Sequence, residues 1–302
     1  MSTVKIGTFN AENLFMRYKF DKNVDIEKFK REGGEINTFK LFLDSAKPIG
    51  TGQIKNTAKV IKENDPDIIA LQEIESLDTL KQFNRIRSYL NRAYPYGILI
   101  DGNDRRQIDV ALLSKYEISN IRTHQYDKDD NGNLIFSRDC VEVDISIGEK
   151  TLTFFVNHFK SKYRDNPAKR KRQAERVAEI IKARFGEELR GDFVVAGDFN
   201  DTPDSDTLKA LLVSNSGRLE NVVQRMIPAE QWTTEYKGRT SQIDYLLLSP
   251  SLAEGNPNEI PHIERRGLGD YIKSYKGPRF KGVGKEGTEA SDHCAIFMNI
   301  NG

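Results

Sequence analysis

The stretch Phe193-Val194-Val195-Ala196-Gly197-Asp198-Phe199-Asn200 constrains this chain more than any other. Its apolar run has the length and character of a short, fully buried strand. It closes on an acid and an amide two residues apart, a spacing that puts both side chains on one side of an extended backbone. Gly197, just before them, permits a tight turn or a close approach. Taken alone, the stretch is also readable as a strand end with an Asx turn. The pattern recurs, however. Other β-like runs end on or enclose Asn10, Glu73, His158, Asp244 and the pair Asp292–His293. Polar groups at so many strand ends predict one shared rim on a rigid scaffold, which is where sites are built.

The elements between these points mix two kinds of connection. Val4 to Phe9 alternates like a strand, and Asp67 to Glu73 is a continuous apolar run closing on an acid. Between them Ile54, Ala58 and Ile61 recur at helical spacing, and Asp65-Pro66 ends that helix. Ser76 opens a second helix. Tyr96 to Ile100 and Ile108 to Ser114 read as strands, and Val141 to Ile147 with Leu152 to His158 as a hairpin. Asn166-Pro167 starts a helix with an amide cap and proline at its first position. A short helix near Thr207 to Val213 and strands over Ser241 to Ser249 and Cys294 to Asn299 complete the set. Helix-linked and hairpin-linked strands together predict two packed mixed sheets covered by helices, an α/β (α+β) fold over residues 1–302.

Bulk properties exclude some partners. The net charge of +1 leaves no global basic field, so any polyanion contact must come from local clusters. Two cysteines, Cys140 and Cys294, make no disulfide framework and read as small buried hydrophobes. No run approaches the ~18 apolar residues of a membrane span. The start lacks the pattern of a secretory leader, so a cytoplasmic location is expected.

The rim residues suggest chemistry. Glu73 is a hard oxygen ligand without histidine or cysteine neighbours, which suits Mg²⁺ or Mn²⁺ better than zinc; it is also readable as a surface acid paired with lysine. His158 is flanked by Lys160 and Lys162, and cations beside a histidine suggest an anion among them. Asp244 lies in Gln242-Ile243-Asp244-Tyr245-Leu246-Leu247-Leu248, where an acid is costly to bury without a partner. His293 is the obvious partner, and a carboxylate would orient its ring and favour its charged form.

Together these motifs resemble the endonuclease/exonuclease/phosphatase superfamily, the deoxyribonuclease-like fold. The matching segments are Thr8-Phe9-Asn10-Ala11-Glu12-Asn13, Leu71-Gln72-Glu73, Asn157-His158, Gly197-Asp198-Phe199-Asn200, Gln242-Ile243-Asp244-Tyr245 and Ser291-Asp292-His293. Their order and rough spacing agree over nearly the whole chain. The segment Asn157 to Lys162 is similar to bacterial nucleases of the family. The resemblance implies a four-layer α/β/β/α sandwich and metal-dependent phosphodiester hydrolysis. It makes Glu73 the principal metal ligand, with Asn10 and Asp292 near the ion. Asp198 would activate or orient water. Asn200 and His158 would hold the phosphate, with His158 able to protonate the leaving oxygen. His293, held by Asp244, would stabilise the transition state or compete with Asp198 as base. Within Asp104 to Asp109 the pattern blurs; Arg106 is taken as a phosphate contact, with a solvated loop charge as the other reading.

Two segments bear on substrate. Lys169-Arg170-Lys171-Arg172 sits in the first turns of a helix, where cations oppose the macrodipole. Residues 256–290 mix seven basic residues with Tyr271, Tyr275 and Phe280, a composition suited to a nucleic-acid strand. With no apolar hairpin of the kind a membrane-acting enzyme needs, the reading is a monomeric DNA endonuclease of low sequence specificity, DNA rather than RNA. The same chemistry on a small phosphoester (a nucleotide, inositol phosphate or lipid headgroup) is the alternative, and a non-catalytic binding module a third. Asp127, Asp129 and Asn131 resemble the first half of a calcium loop, but its twelfth position is Arg138, so a polar turn is preferred to a structural Ca²⁺ site. Met16 to Gly52 reads as an insertion.

Overall fold

The computed structural model describes residues 3–20, 46–48, 50–212 and 219–301. Most of the expected Met16–Gly52 insertion and the tail of the expected Thr207–Val213 helix lie outside the described residues. The first sheet is built from β1 (Thr3–Leu14), β4 (Ile68–Ile74), β5 (Tyr96–Leu99), β6 (Asp109–Ser114), β15 (His262–Glu264) and β16 (Ala295–Asn301). Its order is β15-β16-β1-β4-β6-β5, with β1 and β4 parallel and the other pairs antiparallel. The second contains β7 (Ile118–Arg122), β8 (Val141–Ile147), β9 (Lys150–His158), β10 (Phe193–Asp198), β11 (Glu220–Asn221) and β14 (Asp244–Leu248). Its order is β11-β14-β10-β9-β8-β7, and only β9 and β10 run parallel. Two small ribbons are added: β2 (Tyr18–Phe20) with β3 (Ala46–Pro48), and β12 (Thr234–Tyr236) with β13 (Arg239–Ser241).

Alternation along the strands explains the layers. Val4, Ile6, Ile68, Ala70, Val110 and Leu112 from the first sheet meet Val143, Phe154, Val156, Val194, Ala196 and Leu246 from the second in one buried core. The other faces are also apolar and need covers. Ile54, Ala58 and Ile61 of α1 (Thr51–Asn64) and Leu80 and Phe83 of α2 (Leu77–Arg85) cover the first sheet. Ala174, Val177 and Ile181 of α3 (Pro167–Phe185) cover the second. The result is the expected four-layer sandwich. Asn166 caps α3 by accepting from Lys169 N, with Pro167 at the first position, as its sequence predicts. Two short helices, α4 (Lys209–Leu212) and α5 (Pro250–Gly255), finish the outer layers.

One ion cluster ties a helix to its sheet. Glu142 on β8 accepts from Arg122 Nη1 at 2.6 Å, meets His124 Nε2 at 3.2 Å and pairs with Arg184 of α3. Burial pushes the Glu142 carboxyl up, but those three donors outweigh it and hold it down at about 2, against 4.5 ordinarily. A group depressed on folding stabilises above its unfolded pKa and loses that contribution as pH falls. Stability is therefore expected to fall from pH 4.5 toward 2, and less steeply in Glu142→Gln. Urea titrations across that window check it; parallel slopes for both proteins would discount the cluster.

Candidate active site

Register places the first three polar groups side by side. Across β9 and β10 His158 stands opposite Asp198, and across β10 and β14 Asp198 stands opposite Asp244. Residues directly opposite share a face. The residue after each is aromatic and turns to the other face. There Phe159 and Phe199 stack at 4.7 Å between ring centroids, and Phe199 and Tyr245 also at 4.7 Å. The ring stack braces the polar row from behind.

The first sheet supplies the opposing wall. Asn10 ends the regular pairing of β1 with β4, and its Nδ2 donates across the sandwich to Asp198 Oδ2 at 3.1 Å. The same nitrogen lies 3.5 Å from Glu73 Oε1. The β4–β6 ladder shifts register between Leu71 and Ile74, and Glu73 sits in this irregularity with φ +64°. Such a bulge re-aims a side chain. Glu73 Oε2 accepts from Asn13 N at 3.0 Å, leaving Oε1 toward Asn10 and His158. Asn200 is also left-handed, with φ +53°. Its backbone N–H donates to Asp198 Oδ1 at 2.8 Å and its side chain to Oδ2 at 3.0 Å.

Two histidines take different states. His293 Nδ1 lies 3.0 Å from Asp244 Oδ2, as expected from the buried acid. Burial works against its charge, but Asp244, Asp292 and Asp198 prevail and hold it well above the ordinary histidine range. His158 is also buried, with its Nε2 3.4 Å from Asp198 Oδ2 and 3.9 Å from Glu73 Oε1. Burial, then Arg138, His293 and Arg106, push it well below that range. A neutral His158 suits hydrogen bonding to a phosphate. Asp198 is pushed up to about 7 by burial, with Asp244 and Glu73 adding to it against His293 and the Asn200 amide.

Glu12 and Arg138 join this group, and sequence reasoning missed both as site residues. Glu12 has φ +45° and accepts from Asp292 N at 2.9 Å. Burial, Asp292 and Glu289 push its carboxyl up to about 8. Arg138 is 1% exposed, donates to Phe159 O at 3.2 Å and lies within electrostatic reach of Glu73 and Asp198. Its signal was available: a cation set between Phe136 and Cys140 is as anomalous as Asp244 among its leucines.

The acids fit a divalent cation. Glu12, Glu73, Asp198, Asp244 and Asp292 crowd a region whose described cations are Arg138 and His293, with Arg106 at its edge. Glu73 and Asp292 carry carboxylate oxygens spent on no cationic lysine or arginine among the described residues. Asp198, Asp244 and His293 also offer donor atoms within 4.8 Å of one another. Nδ1 of His293 is taken by Asp244, however, so that trio reads as an oriented histidine facing an acid. Asn10 Oδ1 accepts from Glu12 N at 3.0 Å, and its Nδ2 lies between the Glu73 and Asp198 carboxylates.

The other residues expected at the site make contacts within the protein. Lys162 Nζ pairs with Asp201 at 2.9 Å, and Lys160 Nζ donates to the carbonyls of Ser161 and Tyr163. Arg106 forks onto Asp104 at 3.1 and 3.0 Å. The helix cluster is not a free basic face. Arg170 is buried and held by Asp201 and Asp165, while Arg172 pairs with Glu179. In 256–290, Arg265 stacks on Trp232, Arg266 pairs with Glu264 and Arg279 donates to backbone carbonyls. Nor is a calcium cage built. Asp127 pairs with Arg176, and Asp129 accepts from Asn131 N and Asn133 N within its own turn, which is the preferred reading.

A two-sheet sandwich with an acid, amide and histidine cluster at one end defines a class of phosphoester hydrolases. The chain belongs to the endonuclease/exonuclease/phosphatase family, whose model matches residues 5–300, and members act on phosphoester bonds. Among solved structures, TDP2 from D. rerio complexed with single strand DNA product aligns at 13% identity and TM-score 0.61, over 100% of each chain. A Bacteroides vulgatus endonuclease/exonuclease/phosphatase aligns at 16% and 0.60, covering 100% of this chain and 99% of that one. The human Nocturnin catalytic domain with bound sulfate aligns at 14% and 0.62, covering 99% and 94%. No curated protein matches. No helix among the described residues is long and apolar enough to cross a membrane.

Proposed function

We propose that this protein is a Mg²⁺- or Mn²⁺-dependent phosphodiesterase acting on nucleic acid, as a monomeric DNA endonuclease of low sequence specificity. The observation that carries the chemistry is Asp198. Asn10, Asn200 and His158 converge on its Oδ2, and His293 Nε2 lies 4.0 Å away. Glu73 and Asp292 would hold the cation, which supplies charge neutralisation that lets an anionic diester be attacked. Asp198, with a pKa near neutrality, accepts the proton of the attacking water. Oxygen adds to phosphorus, the bond to the leaving oxygen breaks, and that oxygen takes up a proton from water. His293, charged and fixed by Asp244, faces the charge that develops on the phosphoryl oxygens. Asn200, His158 and Arg138 orient the ester. The supports for DNA are the solved relative bound to a DNA product and Lys169, which has no ion pair among the described residues and lies within electrostatic reach of Arg138.

The second reading, hydrolysis of a small phosphoester, is favoured by the arginines of 169–172 and 256–290 being spent internally. Supercoiled plasmid, oligonucleotides and bis-p-nitrophenyl phosphate, each with Mg²⁺, Mn²⁺ or chelator, separate the two. Cleavage of DNA that needs metal and drops at least about 100-fold in Glu73→Ala is expected. Turnover of the small ester alone would establish the second reading and sink the first.

A further inference from the structure

The β12–β13 ribbon has no role in the chemistry above, yet its root is bonded to the site. Thr234 forms a bridge with His293, and Thr234 Oγ1 donates to Asp292 O at 3.1 Å. Cys294 N donates to Thr233 O at 2.7 Å. Thr233 Oγ1 accepts from the backbone N–H groups of Ile243 and Asp244. The ribbon is thus fastened to the residues flanking both members of the Asp244–His293 pair.

Its tip is built for contact. Lys237 and Gly238 have φ of +50° and +76°, the left-handed pair of a tight two-residue hairpin. Tyr236 and Arg239 face each other beside that turn, and the whole tip is exposed. Tyr236 is 72% exposed. Two residues apart on a strand means the same side, so Tyr236 projects on the side where Thr234 meets Asp292, about 7 Å along from it. Lys237 Nζ sits 5.2 Å from the Tyr236 ring centroid, leaving the opposite face open. Arg239 has no side-chain partner among the described residues. Glu235 accepts from Lys273 N and Ser274 N, which fixes the ribbon from outside.

We infer that this hairpin tip is a stacking platform for an unpaired nucleotide next to the scissile phosphate, so that the enzyme prefers single-stranded nucleic acid to duplex. The inference rests on the nucleic-acid reading above and names the form of its substrate. An exposed ring accepts any base on its face, and flanking cations hold the backbone, without sequence preference. A paired base is already stacked within the duplex and offers Tyr236 no free face.

The test is fluorescence anisotropy in chelator, with a labelled oligothymidine strand and a labelled duplex. Tyr236→Ala is expected to weaken strand binding about tenfold, and duplex binding by less than about twofold. Tyr236→Trp restores strand binding, and Tyr96→Ala, at the opposite end of the first sheet, changes neither. Equal losses for strand and duplex, or no loss for the strand, would overturn the platform while leaving the hydrolase reading intact. A parent protein that neither binds nor cleaves either nucleic acid, but turns over bis-p-nitrophenyl phosphate, overturns the nucleic-acid reading and the platform with it.

Discussion

Asp198→Asn is expected to lower phosphodiester turnover by about 10²–10⁴-fold, the range a positioned general base contributes. The change keeps size and shape but removes the one proton acceptor on which Asn10, Asn200 and His158 converge. It also points an amide at groups already donating, so some stability is lost. Substrate affinity should change far less than kcat, because Asp198 is 1% exposed and offers a bound substrate little contact surface. The measurement is kcat and KM with a thermal melt on the same sample. A folded variant retaining a tenth of parent turnover would remove Asp198 as base.

Gly197→Ala is expected to cost about 4 kcal/mol or more, at the extreme of single substitutions. Gly197 has φ +139°, and a Cβ there would fall 1.9 Å from Asn157 O and 2.8 Å from its carbonyl carbon. Both obstacles are backbone of the neighbouring parallel strand and cannot rotate away. Relief would require β9 and β10 to part where His158 and Asp198 face each other. Urea unfolding or soluble yield reads the result. An alanine variant with the parent midpoint would mean that the two strands do not approach as described.

What could be read ahead of the structure follows from what each signal depends on. Strands β1, β4, β9, β10 and β14 were legible because apolar runs of strand length have few alternatives. The pairing of Asp244 with His293 was legible because a buried acid must find a partner. The partners of the lysines were not. Lys160 and Lys162 carry long flexible stems, and their partners, local carbonyls and Asp201, are set by how loops fold back. Arg170 looked like one of four surface cations, but helix phase turns it inward to Asp201. Glu12 escaped notice because its importance comes from a left-handed backbone that a sequence does not display. The β12–β13 ribbon is three residues a side, too short for its period to show.

The pairing of β1 with β16 has a consequence for how the site comes into being. Thr3 stands opposite Asn301, so the earliest and latest described strands are neighbours in mid-sheet. His293 arrives with β16, Asn10 with β1, and Asp198 from the other sheet. A chain lacking only its final strand would hold nearly every polar group of the cluster and yet no working assembly. Assembly of the cluster therefore depends on a pairing between strands about 300 residues apart in sequence, a contact of the separation that makes folding slow.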